Sequence, residues 1–327
     1  MPIADNTSPK PHWLIRNGHI HSIWTYYTRR AGKPAWLRTR IETPDDDFLD
    51  LDFIKKGHNR VVLILHGIDG NTDRHYIRGF ARHASESGYD VCAQNSRGCS
   101  GELNRKYASY HSAQTYDIHH VCKHLIEECH YSEIYIVGFS LGGNVVFKYL
   151  GEDTDRLPSE IVAAAGVSVP IDLKAGCEKL SRGIYLGYSI YLLSGLKPRT
   201  RAKMKKHSRD PEELRKLRRI VNFRQFDELY TVPAHGFQDA EDYWHQAASH
   251  AYLKKLKTPT LLITALDDPF LSEESFPFDL AANSEYLHFC APLRGGHVGF
   301  AYGLLTPKTL WCDEKILGFF GEVRGGW

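Results

Sequence analysis

The sequence predicts an α/β protein built on a mostly parallel sheet with helices on both faces. Three observations support this prediction: apolar β-branched runs typical of buried strands, helical periodicity between them, and regular alternation of the two from residue 61 onwards. The 327 residues are 42% hydrophobic and 24% charged, which is ordinary for a globular protein and ample for a large core.

The elements follow one another in a consistent order. Two short strands are predicted within residues 39–53, around a turn at residues 44–47. The buried strands are predicted at residues 61–65, 90–94, 134–137, 161–169, 260–264 and 286–289. The helices of the core are predicted at residues 74–87, 113–130, 142–150 and 309–320.

The strand pattern stops between residues 172 and 257, where only helical periodicity and loops occur. One helix there begins at Asp210 as N-cap, followed by Pro211 at the first helical position. We therefore expect a core made of residues 1–171 and 258–327, with residues 172–257 inserted as a helical cap or lid.

The overall charge and the cysteines exclude several classes of protein. A net charge of +2 gives the whole molecule no strong attraction to nucleic acid, and any membrane contact is expected to be weak and interfacial. Seven cysteines without paired spacing indicate free thiols in a reducing compartment. The N-terminus lacks the pattern of a secretory signal and no apolar run is long enough to span a bilayer, so a cytoplasmic location is expected. The first dozen residues are expected to be poorly ordered.

A candidate nucleophile follows the strand at residues 134–137. Gly138-Phe139-Ser140-Leu141-Gly142 is a G-x-S-x-G sequence between a strand and a helix, the context in which this motif forms a sharp turn that exposes the serine. The glycines are needed because side chains at positions 138 and 142 would collide with neighbouring backbone. The pentapeptide alone is common, and its position between strand and helix makes Ser140 the predicted nucleophile.

The serine needs a base and an orienting acid, which in this chain order follow it as Asp or Glu and then His. Asp267 and Asp268 come after the strand at residues 260–264, and His297 lies between glycines after the last strand. We predict His297 as the base and prefer Asp268 to Asp267 as the acid, because Asp268 has the usual offset from its strand.

Two backbone amides are candidates for the oxyanion hole. The start of the helix after Ser140 presents the N–H of Leu141, and the loop after the first buried strand presents that of Ile68. His66, directly after the same strand, is interpreted as a structural, hydrogen-bonded residue.

Other features have simpler interpretations. His119, His120 and His124 are predicted to lie on a solvated helix face, since no carboxylate completes a metal site. Residues 197–224 carry twelve Lys or Arg against three acids and are interpreted as the outer surface of the lid. The apolar residues 184–193 either line an acyl pocket or pack the lid onto the core. No phosphate-binding glycine motif follows a strand, and no cofactor or metal is expected.

Several segments resemble one family. They are RGCSGELNR at residues 97–105, GFSLGGN at 138–144, FDELY at 226–230, HGF at 235–237, ALDDPF at 265–270 and GGHVGF at 295–300. Together with NGHIHSIW at residues 17–24, where His21 replaces a more usual Gln, they resemble the YheT-like α/β-hydrolases over nearly the whole chain.

This resemblance implies an α/β-hydrolase fold, a triad of Ser140, His297 and one of the two aspartates, and hydrolysis of carboxylic esters. We expect a small-molecule acyl ester as substrate, with a short or medium acyl chain. Two alternatives use the same triad, namely acyl transfer to alcohols and phospholipid hydrolysis. A third, of another class, is a non-catalytic binding protein that keeps the fold. The oligomeric state is left open.

Overall fold

The computed structural model describes residue 8, residues 10–305 and residues 308–326. The expectation of poor order in the first dozen residues falls mostly outside this range. The described strands form one sheet in the order β1-β2-β4-β3-β5-β6-β7-β8. Their bounds are β1 Leu37–Thr43, β2 Asp47–Ile54, β3 Arg60–Leu65, β4 Asp90–Asn95, β5 Glu133–Phe139, β6 Ile161–Val167, β7 Thr260–Ile263 and β8 Leu287–Cys290.

Helices connect and cover these strands. They are α1 Gly18–Thr28, α2 His75–Glu86, α3 Thr115–Glu127, α4 Leu141–Glu152, α5 Leu173–Lys179, α6 Leu186–Lys206, α7 Pro211–Arg219, α8 Phe223–Phe226, α9 Val232–His235, α10 Ala240–Ala247, α11 Phe278–Ala282 and α12 Trp311–Gly325. A π-helical turn, Asp227–Thr231, joins α8 to α9. The predicted α/β class is confirmed, and predicted helices and strands coincide with observed ones apart from small differences at their ends.

Parallel pairing brings the strand ends that carry chemistry to one edge of the sheet. The strands β4, β3, β5, β6, β7 and β8 are mutually parallel, whereas β1 and β2 pair antiparallel at one side. The carboxyl ends of β3, β5, β7 and β8 therefore lie along the same edge, which is where ligands bind in open α/β sheets.

The core consists of two apolar layers separated by the sheet. Alternate residues of β3 face opposite layers: Leu63 packs with α3 and α4, whereas Ile64 packs with α2 and α12. Both side chains are fully buried. A strand buried on both faces needs a continuous apolar run, which explains why the sequence of β3 lacks polar alternation.

Residues 172–257 contain helices and turns and no strand. The carboxylate of Asp210 caps α7 by accepting from the N–H of Glu212, and Pro211 occupies the first turn, as the sequence predicts. The separation of this segment from the core as a cap remains a prediction.

Outside residues 172–257, the sequence prediction omitted helix α1 and the short helix α11. Helix α1 is the longer of the two. Asn17 caps it by accepting from two backbone amides, but its apolar side chains do not form a buried stripe. Ile20, Ile23 and Tyr27 are all exposed. An amphipathic pattern directed at the core was therefore absent from this part of the chain.

None of the described helices combines the length and apolar character needed to cross a bilayer. In the same part of the chain, His, Cys, Asp and Glu side chains form no cluster of three or more suited to a metal ion.

Candidate active site

Ser140 lies at the junction between β5 and α4, in a backbone conformation that non-glycine residues rarely adopt. Its φ is 51° and its ψ is −122°. Such strained positions persist where the surrounding structure enforces them, and they occur often at functional sites. The turn lifts the side chain away from the sheet, so that its Oγ faces two cavities.

The two glycines that flank the serine are required by close backbone contacts. A Cβ atom on Gly138 would lie 2.5 Å from the backbone of Gly143, and one on Gly142 would lie 2.6 Å from the carbonyl oxygen of His66. Both distances are far shorter than any real Cβ contact. The collisions expected from the motif are thus found in the structure.

The side chains of Ser140, His297 and Asp268 form a continuous hydrogen-bonded chain. His297 Nε2 lies 3.0 Å from Ser140 Oγ, and His297 Nδ1 lies 2.9 Å from Asp268 Oδ2. Because a carboxylate can only accept, Nδ1 carries the proton and Nε2 is free to accept one from the serine. Asp268 is buried, and its Oδ1 also accepts from the N–H of Phe270.

Asp267 has a different environment from its neighbour. Its Oδ1 accepts from the N–H groups of Gly295 and Gly296, at 2.9 Å each, and its Oδ2 is 3.6 Å from Arg294. It thereby fixes the loop that precedes His297 without contacting the imidazole. The structure thus brings Asp268 and not Asp267 to the imidazole, and the role of Asp268 as the orienting acid stays a prediction.

The loop of His297 is held by two serine hydroxyls from distant parts of the chain. The N–H of His297 donates to Ser22 Oγ in α1 at 2.7 Å, and the N–H of Val298 donates to Ser168 Oγ at 3.0 Å. Ser22 in turn donates to the carbonyl of Gly18. Sequence reasoning missed Ser22 and Ser168; the family motif at residues 17–24 was the one signal that marked α1 as relevant.

The backbone amides of Leu141 and Ile68 are available beside the nucleophile. Leu141 is the first residue of α4, a position whose N–H has no acceptor within the helix. Around Ile68, the amides of Gly67 and Asp69 donate to tyrosine hydroxyls, and that of Gly70 donates to Gly67. No acceptor for the Ile68 amide occurs in the described chain, and its role in an oxyanion hole stays a prediction.

His66 is a structural residue, in agreement with its interpretation from the sequence. Its Nε2 accepts from the N–H of Ser96 at 3.1 Å and its Nδ1 lies 2.7 Å from the carbonyl of Gly67. Burial lowers the pKa of this imidazole to about 4, so the ring is neutral at pH 7. A neutral ring with both nitrogens occupied cannot act as the base.

An apolar cavity extends from Ser140 towards residues 173–244 and is called the inner cavity. Its volume is about 130 Å³. Its walls are mainly apolar and include Leu141, Leu173, Leu180, Leu196, Phe226 and Trp244. Of the stretch 184–193, Leu192 lines this cavity while Leu193 is buried in the packing of the helices. The stretch therefore contributes both to a cavity wall and to packing among the helices, and its part in an acyl pocket stays a prediction.

A second cavity opens from the other side of Ser140 and is called the outer cavity. Its volume is about 570 Å³. Aromatic and polar side chains of α1, α2 and α6 line it, among them His19, Tyr26, Tyr76, Tyr188 and Tyr191. The two cavities share Ser140, His297 and a partition made of Ile68, Leu192 and Phe270. Phe270 stacks on the imidazole of His297 at 4.2 Å.

One carboxyl group lies in the wall of the inner cavity. Asp227 accepts from Thr231 Oγ1 at 2.7 Å and from the indole N–H of Trp244 at 2.8 Å. Burial raises the pKa of Asp227 to about 7, above the usual range of an aspartate. At neutral pH the carboxyl group of Asp227 is therefore partly protonated, which reduces its negative charge beside an apolar cavity.

The basic segment 197–224 is not entirely an outer surface, so that expectation was wrong in part. Lys203 is buried and donates to the backbone carbonyls of Asn104 and Lys106, and Arg199 pairs with Asp69. Both line the inner cavity. Burial lowers the pKa of Lys203 to about 8. Because Arg199 and Lys203 are four residues apart on α6, they lie on the same face of the helix, which is turned inwards. A count of charges along the sequence does not show this.

The three histidines of α3 are half-buried rather than fully solvated, so that expectation also needs correction. His120 Nε2 lies 2.8 Å from the carbonyl of Glu42, and His119 Nδ1 lies 3.3 Å from the hydroxyl of Tyr149. These contacts occupy the rings with structural hydrogen bonds. No described residue completes a metal site with them.

Comparison with known proteins agrees with the fold. A family model described as the alpha/beta hydrolase fold matches residues 60–278. The chain therefore belongs to the α/β hydrolase family. It is 32% identical to YheT of Escherichia coli, over 92% of this chain and 89% of that protein, which confirms the resemblance that the motifs indicated.

A more distant relative and a solved structure extend the comparison. The chain is 28% identical to monoacylglycerol lipase of Saccharomyces cerevisiae, over 88% of this chain and 60% of that protein. The esterase Pf2001 of Pyrococcus furiosus superposes with a TM-score of 0.59 over 97% of this chain and 98% of that one, at 17% identity. This structure supports the fold.

Proposed function

We propose that the chain is a serine hydrolase that cleaves carboxylic esters through an acyl-enzyme on Ser140. The observation that supports this most directly is the hydrogen-bonded chain from Asp268 through His297 to Ser140. One relative is named a monoacylglycerol lipase, and a solved structure of the same fold is named an esterase. A complete acid, base and nucleophile also argues against a purely binding protein.

The reaction follows from the positions of the protons. Ser140 Oγ attacks the ester carbonyl carbon while its proton passes to His297 Nε2, and Asp268 stabilises the imidazolium that results. The N–H groups of Leu141 and Ile68 bind the oxyanion of the tetrahedral intermediate. The C–O bond to the alcohol then breaks, and the alcohol leaves with the proton from His297. A water molecule then attacks the acyl-enzyme carbonyl carbon and gives its proton to His297. The bond to Ser140 Oγ breaks, the acid is released, and Ser140 regains its proton.

The two cavities suggest how the ester is oriented. The inner cavity borders Leu141 and is lined mainly by apolar side chains, so it suits the acyl chain. The outer cavity is the larger of the two, so it suits the departing alcohol. The inner cavity is the smaller of the two, which favours short or medium acyl chains.

Acyl transfer is the second candidate, and the size of the outer cavity favours it. With about 570 Å³ beside the nucleophile, an alcohol can occupy the place where water would attack the acyl-enzyme. Adding an alcohol during turnover of a p-nitrophenyl ester and measuring the ratio of new ester to free acid separates the two reactions. Free acid alone, at every alcohol concentration, would eliminate transfer.

The test of the proposed function is the change Ser140→Ala. We expect hydrolysis of p-nitrophenyl esters to fall by at least about 10⁴-fold and labelling by a fluorophosphonate to disappear, because both need the serine oxygen. Circular dichroism and thermal unfolding of the variant serve as the control for folding. Unchanged turnover in the folded variant would disprove the assignment, and absence of any burst with activated esters in the parent chain would favour a non-catalytic protein.

A further inference from the structure

The mouth of the outer cavity is surrounded by exposed apolar and aromatic side chains. Ile23 and Tyr27 of α1 are 51% and 74% exposed, and Ile184 and Tyr191 across the cavity are 75% and 51% exposed. All four line the cavity that reaches Ser140. Large apolar groups left in water around an active-site entrance are costly for a protein that meets only water, and they mark a contact surface.

The two walls of this mouth form one continuous surface. Within α1, Ile20, Ile23 and Tyr27 follow helical spacing on one face. Across the cavity, Tyr191 of α6 approaches Tyr26 of α1 with ring centroids 6.4 Å apart. His19 of α1 is also hydrogen-bonded to the hydroxyl of Tyr188, at 2.7 Å. We call the exposed side chains of α1 and of residues 184–191 the collar.

The two segments that contain the collar are rich in basic residues. Residues 8–41 contain seven Lys or Arg and residues 179–209 contain nine, and neither segment contains an Asp or Glu. These 16 of the 41 basic residues thus lie in segments that hold none of the 39 acidic ones. Seven of the 16 form ion pairs with acids outside these two segments, and Lys203 is buried; the paired residues are Arg29, Lys33, Arg38, Arg40, Arg182, Arg199 and Arg209. Arg16 and Arg30, at the two ends of α1, are exposed and have no ion pair with any described residue.

We propose that the collar docks on the surface of an anionic lipid bilayer, so that lipid esters reach Ser140 through the outer cavity. Aromatic and aliphatic side chains with adjacent cations are the composition that holds a protein in the headgroup region. Each Lys or Arg near an anionic leaflet adds attraction that salt screens. This proposal rests on the proposed function, because the bilayer supplies the ester.

Binding is tested with the full chain carrying Ser140→Ala, so that no lipid is hydrolysed. We expect it to sediment with vesicles of phosphatidylcholine containing about one-third phosphatidylglycerol, and at least about tenfold more weakly with phosphatidylcholine alone. Raising the salt concentration should weaken binding to the mixed vesicles. Equal binding to both vesicles, or none to either, would overturn the proposal.

A matched pair of variants locates the surface. Ile20→Ser with Ile190→Ser removes two collar side chains that are 48% and 49% exposed and that line neither cavity. Leu37→Ser with Tyr116→Ser removes two that are 58% and 48% exposed elsewhere. Both pairs are introduced into the Ser140→Ala chain. The variant with the first pair should bind mixed vesicles at least about tenfold more weakly than the Ser140→Ala chain alone, and the variant with the second pair should bind them equally well. Equal losses in both pairs would overturn the collar as the docking surface.

Two further measurements separate the remaining outcomes. With Ser140 intact, the Ile20→Ser/Ile190→Ser chain should hydrolyse a soluble p-nitrophenyl ester at the parent rate and lose activity only on ester presented in mixed vesicles. If the proposed function fails, soluble turnover is absent while vesicle binding is still measurable. Analytical ultracentrifugation of the parent and the collar variant gives the remaining test: a dimer lost in the variant would assign the collar to self-association and refute lipid docking.

Discussion

The two cavities that meet at Ser140 differ in volume and in the elements that line them. The inner cavity is small and mainly apolar in its lining, and helices of residues 172–257 supply much of its wall. The outer cavity has about four times the volume and is lined by tyrosines and histidines, with exposed side chains at its mouth. One nucleophile thus faces a small cavity on one side and a large one on the other.

Changes to the residues shared by both cavities are expected to lower the rate of hydrolysis for every ester. Asp268→Asn leaves the shape intact but removes the acceptor that fixes the tautomer of His297, so kcat should fall by roughly 10²–10⁴-fold for every ester. Asp267→Asn is the matched control, because its remaining oxygen can still accept from Gly295 and Gly296, and we expect at most about a tenfold loss. Steady-state kinetics on one ester series measures both variants. A larger loss in the Asp267 variant would reverse the assignment of the acid.

Substitutions that fill one cavity and leave the other unchanged can separate selectivity for the acyl chain from selectivity for the alcohol. A Cβ on Gly176, in the wall of the inner cavity, or on Gly187, in the wall of the outer cavity, would meet no atom within 4 Å. We expect Gly176→Leu to lower kcat/KM for octanoyl relative to acetyl esters by roughly 10–100-fold, from lost space for the chain. Gly187→Leu should leave that ratio unchanged and alter the preference among alcohols. The reverse pattern would exchange the roles of the cavities.

Ser22 connects the wall of the outer cavity to the base. Ser22→Ala removes the acceptor of the His297 amide, which should lower kcat by roughly tenfold with little change in KM, in keeping with about 1–1.5 kcal/mol for one hydrogen bond. Ser22→Thr keeps the hydroxyl and should restore much of the rate. A change in KM alone, or equal losses in both variants, would show that Ser22 acts on substrate binding or packing instead of positioning.

The smallest effect on turnover is expected from the carboxyl group of the inner cavity. Because burial raises the pKa of Asp227 to about 7, the folded chain holds a proton there that the unfolded chain has lost between about pH 4 and pH 7. Folding therefore takes up a proton, and this group's contribution to the free energy of unfolding falls as pH rises through that range. Above pH 7 the ionised group should also raise KM for acyl esters a few-fold.

Asp227→Asn removes both effects, because an amide does not ionise and can keep contacts with Thr231 and Trp244. We expect a smaller decrease in melting temperature between pH 5 and pH 8 in the variant than in the parent. Thermal unfolding at the two pH values, together with KM for one ester, provides the measurement. Identical pH slopes in the two proteins would show that Asp227 is already ionised throughout.

Much of the fold was predictable because a buried parallel strand has a local signature. The continuous apolar runs of β3 and β5 follow from burial on both faces, and the helices between them follow from periodicity. Helix α1 was not predictable in this way. Its exposed Ile and Tyr side chains face a cavity mouth instead of the core, so the usual amphipathic pattern is absent.

The sequence by itself therefore determined the class of sheet, the candidate nucleophile Ser140 and the loop that carries His297, because a strand, a glycine-bounded turn and their order are local features. Tertiary structure decided which aspartate contacts the imidazole, since Asp267 and Asp268 differ only in the direction of their side chains. It also brought Ser22 to His297 across 275 positions of chain and turned Arg199 and Lys203 inwards. Such contacts depend on packing between distant segments, and no local pattern encodes them.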